Sequence, residues 1–471
     1  VLAEVTGDQS PHTRHFSLAC VLAALALSCA ACTTPKVAER TGPTDVGPAI
    51  LAAQGALSER SGERLVESRL GSDQDDPHVR ELIAAVRVQA NAPLVAGNRL
   101  TLLVDGPQTL AAIRKAIAGA QHHVHLETYI FSDDEVGRGI RDLLIERHRE
   151  GIEVRVIYDA VGSLTTPAAF FDAMREAGIE VREFRPLDPV RTPLAWKINN
   201  RDHRKIVVVD GRTAFTGGIN ISSTYASSSK RRPGPEKGRD ESWRDTHVQI
   251  DGPVAAQFQS LFLATWTRAG GNLETKSPQY FPPIPAAGSE LVAAVATDGE
   301  NDAQTSIYGT YLAAIRHATQ RIWLTNAYFA PNKELRSALV AAAKRGVDVR
   351  LFVPGFTDSG LILHASRSTY DELLSGGIRM FEEPDALLHA KTAVIDTALS
   401  MVGSANLDMR SFLHNNEVNA VIVGSAFARQ LEQLFERDLQ NAHELSLQQW
   451  RKRSFGEKFK EFGSSLFSYW L

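Results

Sequence analysis

The chain has 471 residues, of which 43% are hydrophobic and 23% charged, enough apolar material for two substantial cores. Its net charge of −4 and pI near 6.4 lack the basic excess of a dedicated nucleic-acid binder, so no nucleic-acid partner is expected. All three cysteines, Cys20, Cys29 and Cys32, lie near the N-terminus, so the remaining chain builds neither a disulfide nor a thiolate metal site.

In chain order, the first signal is RHFSLACVLAALALSCAACTTP, with a basic start, an apolar centre and small residues before a cysteine. The apolar stretch of roughly 15 residues falls short of the roughly 20 that span a bilayer, and reads as a secretory signal. CAAC, ending at Cys32, resembles a bacterial lipoprotein cleavage site and makes Cys32 a candidate lipid anchor; an uncleaved signal anchor is the alternative. Either reading puts the chain in a bacterial cell envelope, membrane-associated on the exported side. Residues 33–95 are Ala-, Gly- and charge-rich with helical stretches, and read as a tether or accessory segment.

From residue 96 the sequence runs twice through one pattern. AIAGAQHHVHLETYIF (Ala116–Phe131) aligns with AIRHATQRIWLTNAYF (Ala314–Phe329), GIEVRVIYD with GVDVRLFVP, and AGIEVREF with GGIRMFEE. Helical periodicity alternates with short apolar strands, which predicts an α/β fold with covered sheets. The offset of about 190 residues marks a duplicated domain rather than a solenoid. The predicted domains are 96–276 and 297–445, joined by a proline-stiffened linker at 277–296 and followed by a tail at 446–471.

Each copy carries His-x-Lys-x4-Asp and then a turn of small residues and an amide. The first is His203, Lys205, Asp210, Gly217, Gly218, Asn220; the second is His389, Lys391, Asp396, Gly403, Ser404, Asn406. The β-branched run after each lysine predicts a strand, on which His and Lys share one face and the aspartate takes the other. The small residues allow close backbone approach to a ligand, and Ser404 and the two asparagines offer hydrogen bonds to an anionic oxygen. The parity of Asp210 and Asp396 predicts a turn cap or salt bridge behind the site.

The paired motifs resemble the phospholipase D superfamily. LLVDGPQTL, HLETYIFSDDEVGR, WRDTHVQIDGP, NAYFAP and GSANLDMRSFLHNNE resemble the bacterial cardiolipin synthases within it, over about residues 95 to 471. DHRKIVVVDG does so too, with Asp202 where that branch carries Asn. Such synthases begin with two transmembrane helices, which this sequence lacks.

The resemblance implies two phospholipase D-like domains, each a mixed sheet flanked by helices, related by a pseudo-twofold with one active site at their interface. It implies a covalent phosphohistidine on one histidine, His203 in the more usual assignment, and acid–base work by the other, His389. Lys205, Lys391, Asn220, Ser404 and Asn406 then hold the phosphate oxygens, and no cofactor or metal is needed. It gives the acidic residues Asp245 and Glu417 the task of orienting the imidazoles, with Asp245 expected on His203 and Glu417 on His389. The reaction implied is phosphatidyl transfer between two phosphatidylglycerols, giving cardiolipin and glycerol. Hydrolytic phospholipase D, a nuclease and a non-catalytic lipid-binding protein are the alternatives. The partners implied are a phospholipid membrane and anionic glycerophospholipids; nothing in the sequence sets an oligomeric state.

His122, His123 and His125 sit at a predicted helix-to-strand junction and are expected to be structural rather than metal-binding, as is His247. Tyr328 and Phe329 suit either a core or a substrate wall. SSSKRRPGPEKGRD (Ser227–Asp240) reads as a solvated loop or a lip for anionic headgroups. In the tail, Phe455, Phe459, Phe462, Leu466 and Trp470 recur at helical spacing after Arg451–Arg453, which suits a helix lying in a membrane interface or packed on the second domain.

Overall fold

The structure, a computed structural model, describes residues 48–53, 55–71, 76–187, 199–227, 242–273, 277–299 and 306–467. The signal-like segment with Cys32, nearly all of the Ser227–Asp240 loop, and Trp470 lie outside them.

Helices α1 (Glu59–Leu70) and α2 (Pro77–Ala90) come first, each capped by a side chain, Ser58 or Asp76, that accepts a first-turn N–H. The first repeat follows as β1 (Val95–Val104), α3 (Asp105–Ala118), β2 (His123–Thr128), α4 (Glu135–Arg149), β3 (Glu153–Asp159), α5 (Ala168–Glu176), β4 (Glu180–Phe184), β5 (Ile206–Val209), β6 (Thr213–Gly217), β7 (Trp243–Arg244), β8 (Thr246–Asp251) and α6 (Ala255–Arg268). The second runs as β9 (Glu290–Thr297), α7 (Ser306–His317), β10 (Arg321–Asn326), α8 (Lys333–Lys344), β11 (Asp348–Pro354), α9 (Gly360–Arg367), α10 (Tyr370–Ser375), β12 (Arg379–Glu383), β13 (Leu387–Leu388), β14 (Lys391–Ile395), β15 (Leu399–Gly403), β16 (Glu417–Val423) and α11 (Ser425–Leu439). Helices α12 (Leu447–Arg451) and α13 (Phe455–Ser465) close the chain.

The two sheets have the same order. In the first, β4, β3 and β2 are parallel, and β5, β6, β8 and β1 continue antiparallel. In the second, β12, β11 and β10 are parallel, and β14, β15, β16 and β9 continue antiparallel. The sheets meet edge to edge where β1 pairs with β9, Val95 opposite Val292. Each strand pair is thus reproduced in the other copy, which is the pseudo-twofold that the repeated sequence implied.

Both faces of each sheet are covered, which is why strands such as β5 (IVVV) and β16 (EVNAVIV) are buried throughout. Helix α4 shows how: Val136, Ile140 and Leu144 recur every fourth residue and bury one stripe in the outer core of the first repeat. Between the repeats lies a shared core in which Ile206, Val208, Val248 and Phe258 meet Val394, Val402, Ala420 and Phe427. That core fixes the two motif strands relative to each other.

Two expectations about connecting segments are sharpened. Of the two readings of residues 33–95, helices α1 and α2 match the accessory segment: Val66, Leu70, Leu82, Ile83 and Val86 enter the core of the second repeat, and α2 packs along α7. The end of the presumed linker, from Glu290, is strand β9. Its apolar run ELVAAVAT is separated from the last proline, Pro285, by only Ala-Ala-Gly-Ser, so composition alone merges it with the connection. The linker also buries Tyr280 against His123 and His125.

Candidate active site

The motif histidines lie just before their strands rather than within them, and each is pinned by the other repeat. The His203 N–H donates to the carbonyl of Asn416 at 3.0 Å, beside a parallel bridge between Asp202 and Asn416. The His389 N–H donates to the carbonyl of Arg244 at 2.8 Å, continuing the parallel pairing of β13 with β7. One residue beyond Asn416 is Glu417, and one residue beyond Arg244 is Asp245.

Cross-repeat pairing therefore decides which acid meets which base. Nδ1 of His203 lies 2.9 and 3.1 Å from the two carboxylate oxygens of Glu417, and Nδ1 of His389 lies 2.8 Å from Oδ2 of Asp245. This reverses the expected partners: each acid orients the histidine of the other copy. A carboxylate on Nδ1 holds the proton there and leaves Nε2 free.

The two pairs differ electrostatically. Burial works against charge on Asp245, but His389, Lys391 and the Thr246 N–H outweigh it and hold its pKa low. Burial pushes Glu417 up to about 7, against the pull of Lys205, the Ser404 hydroxyl and the Asn415 amide. His203 is depressed well below the usual imidazole range by burial and by Lys205, Lys391 and His389. His389 is lowered by burial and Lys391, but Asp245 opposes the fall through its charge and its hydrogen bond.

Lys205 and Lys391 complete the cluster. Each ammonium donates to the carbonyl of its own motif histidine, Lys205 at 2.8 Å. Burial lowers Lys205 to about 7 and Lys391 to about 8, with Glu417 and Asp245 respectively the largest opposing influences. Two buried cations held near neutrality are poised for an anion that restores their charge.

The polar residues of the turns are less uniform than the motif suggests. The Asn220 carbonyl accepts the Ile130 N–H at 3.1 Å and its amide donates to Tyr225 Oη at 2.8 Å, which ties it to the wall. The Ser404 hydroxyl donates to Glu417 and accepts the Val418 N–H, so it serves the carboxylate and is not free for a phosphate oxygen. Asn406 is buried, and its side-chain oxygen has no partner.

The glycines make room for the acid strand rather than for a ligand. A Cβ at Gly218 would sit 2.2 Å from Oδ1 of Asp245, and one at Gly403 would sit 2.0 Å from Oδ1 of Asn419. Gly217 packs in the same way on His247.

Asp210 and Asp396 lie at the far end of the strand. Asp210 accepts the N–H groups of Gln121, His122 and His123; Asp396 accepts those of Thr319, Gln320 and Arg321. Both adopt a left-handed conformation, φ 54° and 51°, and each caps the start of the antiparallel neighbour of its motif strand, β2 or β10. His123 and His125 share Gln259, and no metal-ligating group of three occurs among the described residues. His247 is buried, but its Nδ1 has no partner and burial drops its pKa to about 3, so it is structural without being satisfied.

Of the aromatic site walls, sequence reasoning raised Tyr328 and missed Tyr129, Tyr225 and Trp243. Tyr129 stands edge-on to His203 at 5.0 Å with the Lys205 ammonium 5.4 Å from its ring. Tyr225, Trp243 and Tyr328 lie edge-on to His389 at 5.6, 5.6 and 6.3 Å. Tyr328 thus belongs to the site, its hydroxyl donating to Asp358 at 2.7 Å, whereas Phe329 is core. Arg244 crosses the repeats to Asp438 at 2.7 Å and locks β7, the strand just before Asp245. The departure at Asp202 also has a consequence. Asp202 and Glu127 are fully buried, and none of their four carboxyl oxygens has a hydrogen-bond partner; burial raises both, and the Arg204 cation offsets it.

The family model described as "Cardiolipin synthase, PLD-like domain" matches residues 113–230 and 311–439, once per repeat. Cardiolipin synthase 1 of Bacillus cereus is 36% identical over 377 residues, 78% of this chain and 72% of that protein. The Probable cardiolipin synthase YwiE of Bacillus subtilis is 37% identical over 371 residues, 79% of this chain and 72% of that protein. Among solved structures, phosphatidylserine synthase of Haemophilus influenzae has the same fold, with a TM-score of 0.59 at 14% identity, covering 83% of this chain and all of that one. Two matched repeats, two motifs and relatives of this closeness make the chain a member of the phospholipase D superfamily, in its cardiolipin synthase branch.

Proposed function

We propose that the chain is a phosphatidyltransferase that joins two phosphatidylglycerols into cardiolipin and glycerol. The observation that carries this reading is the crossed pair of His–carboxylate contacts, which builds one reaction centre from both repeats; the curated relatives supply the substrate class.

Nε2 of His203 attacks the phosphodiester phosphorus, while His389, kept more basic by ionised Asp245, protonates the leaving glycerol oxygen. Lys205, Lys391 and Asn406 take up charge on the non-bridging oxygens. The phosphatidyl group is then held on His203. His389, now neutral, removes the proton from the terminal hydroxyl of a second phosphatidylglycerol. That oxygen displaces His203 from phosphorus, and the cycle closes with one glycerol released. The roles of Asp210, Asp396, Gly217, Gly218 and Gly403 are structural in this scheme.

The same reading places the chain at a membrane. None of the described residues forms a helix long and apolar enough to cross one, and the attachment assigned to the N-terminal segment is lipidation at Cys32 or retention of the signal as an anchor. Cys32→Ala should abolish acyl labelling; wild type without label would remove lipidation from the account.

Product analysis tests the reaction. Purified protein given phosphatidylglycerol should release glycerol and cardiolipin in equal amounts. Phosphatidic acid as the only lipid product would make the chain a hydrolase, and cleavage of DNA alone would make it a nuclease.

A further inference from the structure

Helix α13 is built inside out. Ser454 caps it in a reciprocal box with Glu457, so it is a defined helix. Phe455, Phe459, Phe462 and Leu466, spaced 4, 3 and 4 residues apart, fall within an arc of about 60°. That stripe faces away from the protein: the four are 82%, 66%, 64% and 51% exposed. The side turned inward is polar, with Glu461 and Ser464 only 6% and 7% exposed. Glu461 pairs with both guanidinium nitrogens of Arg453, whose head lies 3.2 Å from the centroid of buried Trp450. The polar face is therefore the docked face, and the apolar one has no partner among the described residues.

The surroundings identify what covers it. Residues 451–467 carry Arg451, Lys452, Arg453, Lys458 and Lys460 against only Glu457 and Glu461, in a chain whose net charge is −4. Phenylalanines in a stripe flanked by lysines match the depth profile of a bilayer surface with anionic headgroups. The patch also adjoins the reaction centre. Helix α9 packs against α13 and exposes Leu361, and it begins two residues after Asp358, the acceptor for Tyr328 beside His389.

We propose that α13, with the start of α9, is a membrane-docking surface that lies in the interface of an anionic bilayer and holds the site mouth at the headgroups. The anionic lipid partner rests on the function proposed above; the inverted helix does not.

Hydrogen exchange on the full chain reads the contact locally, whatever the N-terminal segment does. With phosphatidylcholine vesicles containing phosphatidylglycerol, amides of residues 455–467 should exchange about tenfold more slowly than without vesicles, and less slowly with pure phosphatidylcholine. In the triple variant Phe455→Ser, Phe459→Ser, Phe462→Ser the protection should vanish, while turnover of a detergent-dispersed short-chain phosphatidylglycerol is kept. Unchanged exchange with vesicles overturns the proposal. So does protection that instead grows with protein concentration and a dimer on sizing that the triple variant loses, since a second copy would then be the cover. Vesicle protection in a chain that makes no cardiolipin would sink the assigned reaction and leave the docking surface standing; cardiolipin synthesis without protection would do the reverse.

Discussion

The two half-sites start from the same motif on the same strand order, yet they are chemically unequal. Around His389 the acid is Asp245, ionised, tied to a backbone N–H and sitting against a glycine that leaves it room. Around His203 the acid is Glu417, one methylene longer, sharing Ser404 and Asn415 and raised to about 7. A firm anion keeps His389 able to carry a proton; a carboxyl that is half neutral at pH 7 gives His203 orientation without much basicity. Duplication supplied two equal histidines; in the reaction proposed above, the swap of Gly218 for Ser404 and Asp245 for Glu417 is what separates their tasks.

The largest way to break this comparison is to delete the bases one at a time. His203→Ala should lower transfer by at least about 10⁴-fold with any substrate. His389→Ala should do the same with phosphatidylglycerol, but should regain the first step with a nitrophenyl phosphodiester whose leaving group needs no proton. Equal rescue of both variants would contradict the inequality.

Exchanging the acids comes next. Asp245→Asn should cost about 10²–10⁴-fold in kcat, the range of a general acid that has lost its charge partner. Glu417→Gln should cost much less, since the glutamine oxygen still accepts the Nδ1–H of His203. The reverse order, measured on phosphatidylglycerol, would move the acid–base role to His203.

The lysines sharpen the account through pH. Their charged forms are lost as pH rises through about 7 for Lys205 and about 8 for Lys391. Free-enzyme kcat/KM should therefore fall above pH 7, by about tenfold per unit once a required charge titrates. The fall in kcat should lie at higher pH, because a bound phosphodiester stabilises both cations. Coincident profiles for kcat and kcat/KM would mean that the lysines do not meet the substrate charge.

The smallest effect concerns stability. A pair raised by burial binds its proton more tightly folded than unfolded, so its contribution is full below the ordinary values of 3.8 and 4.5 and is lost as pH rises. Asp202→Asn removes one of the two buried carboxyl groups and should stabilise the protein by about 1–3 kcal/mol at alkaline pH, less in acid. Denaturant midpoints at several pH values would check this; a pH-independent difference would contradict the raised pair.

The two-repeat α/β fold was legible because apolar strands and helical stripes recur in register in both copies, and the His and Lys positions were legible because the motif recurs with them. The partner acids were found as residues, Asp245 and Glu417, but assigned to the wrong histidines. Spacing along one copy carries no information on the β7–β13 pairing or the Asp202–Asn416 bridge, which are contacts between copies. Ser404 read as a phosphate ligand although its hydroxyl belongs to Glu417, a contact set by the β15–β16 pairing within one copy, and residues 33–95 read as a tether or accessory segment because nothing local shows that the apolar stripes of α1 and α2 fill the core of the distant second repeat. Tyr129, Tyr225 and Trp243 sit in ordinary aromatic positions of the sequence; only the closed interface makes them walls.

In the proposed reaction one histidine attacks and the other moves protons, and the covalent intermediate reports which is which. Wild-type protein quenched in acid-free denaturant during turnover of phosphatidylglycerol should yield, by peptide mass spectrometry, a phosphatidyl group on the peptide containing His203. The same adduct should accumulate in His389→Ala given the activated phosphodiester. An adduct on His389 in the wild-type chain would contradict the assignment.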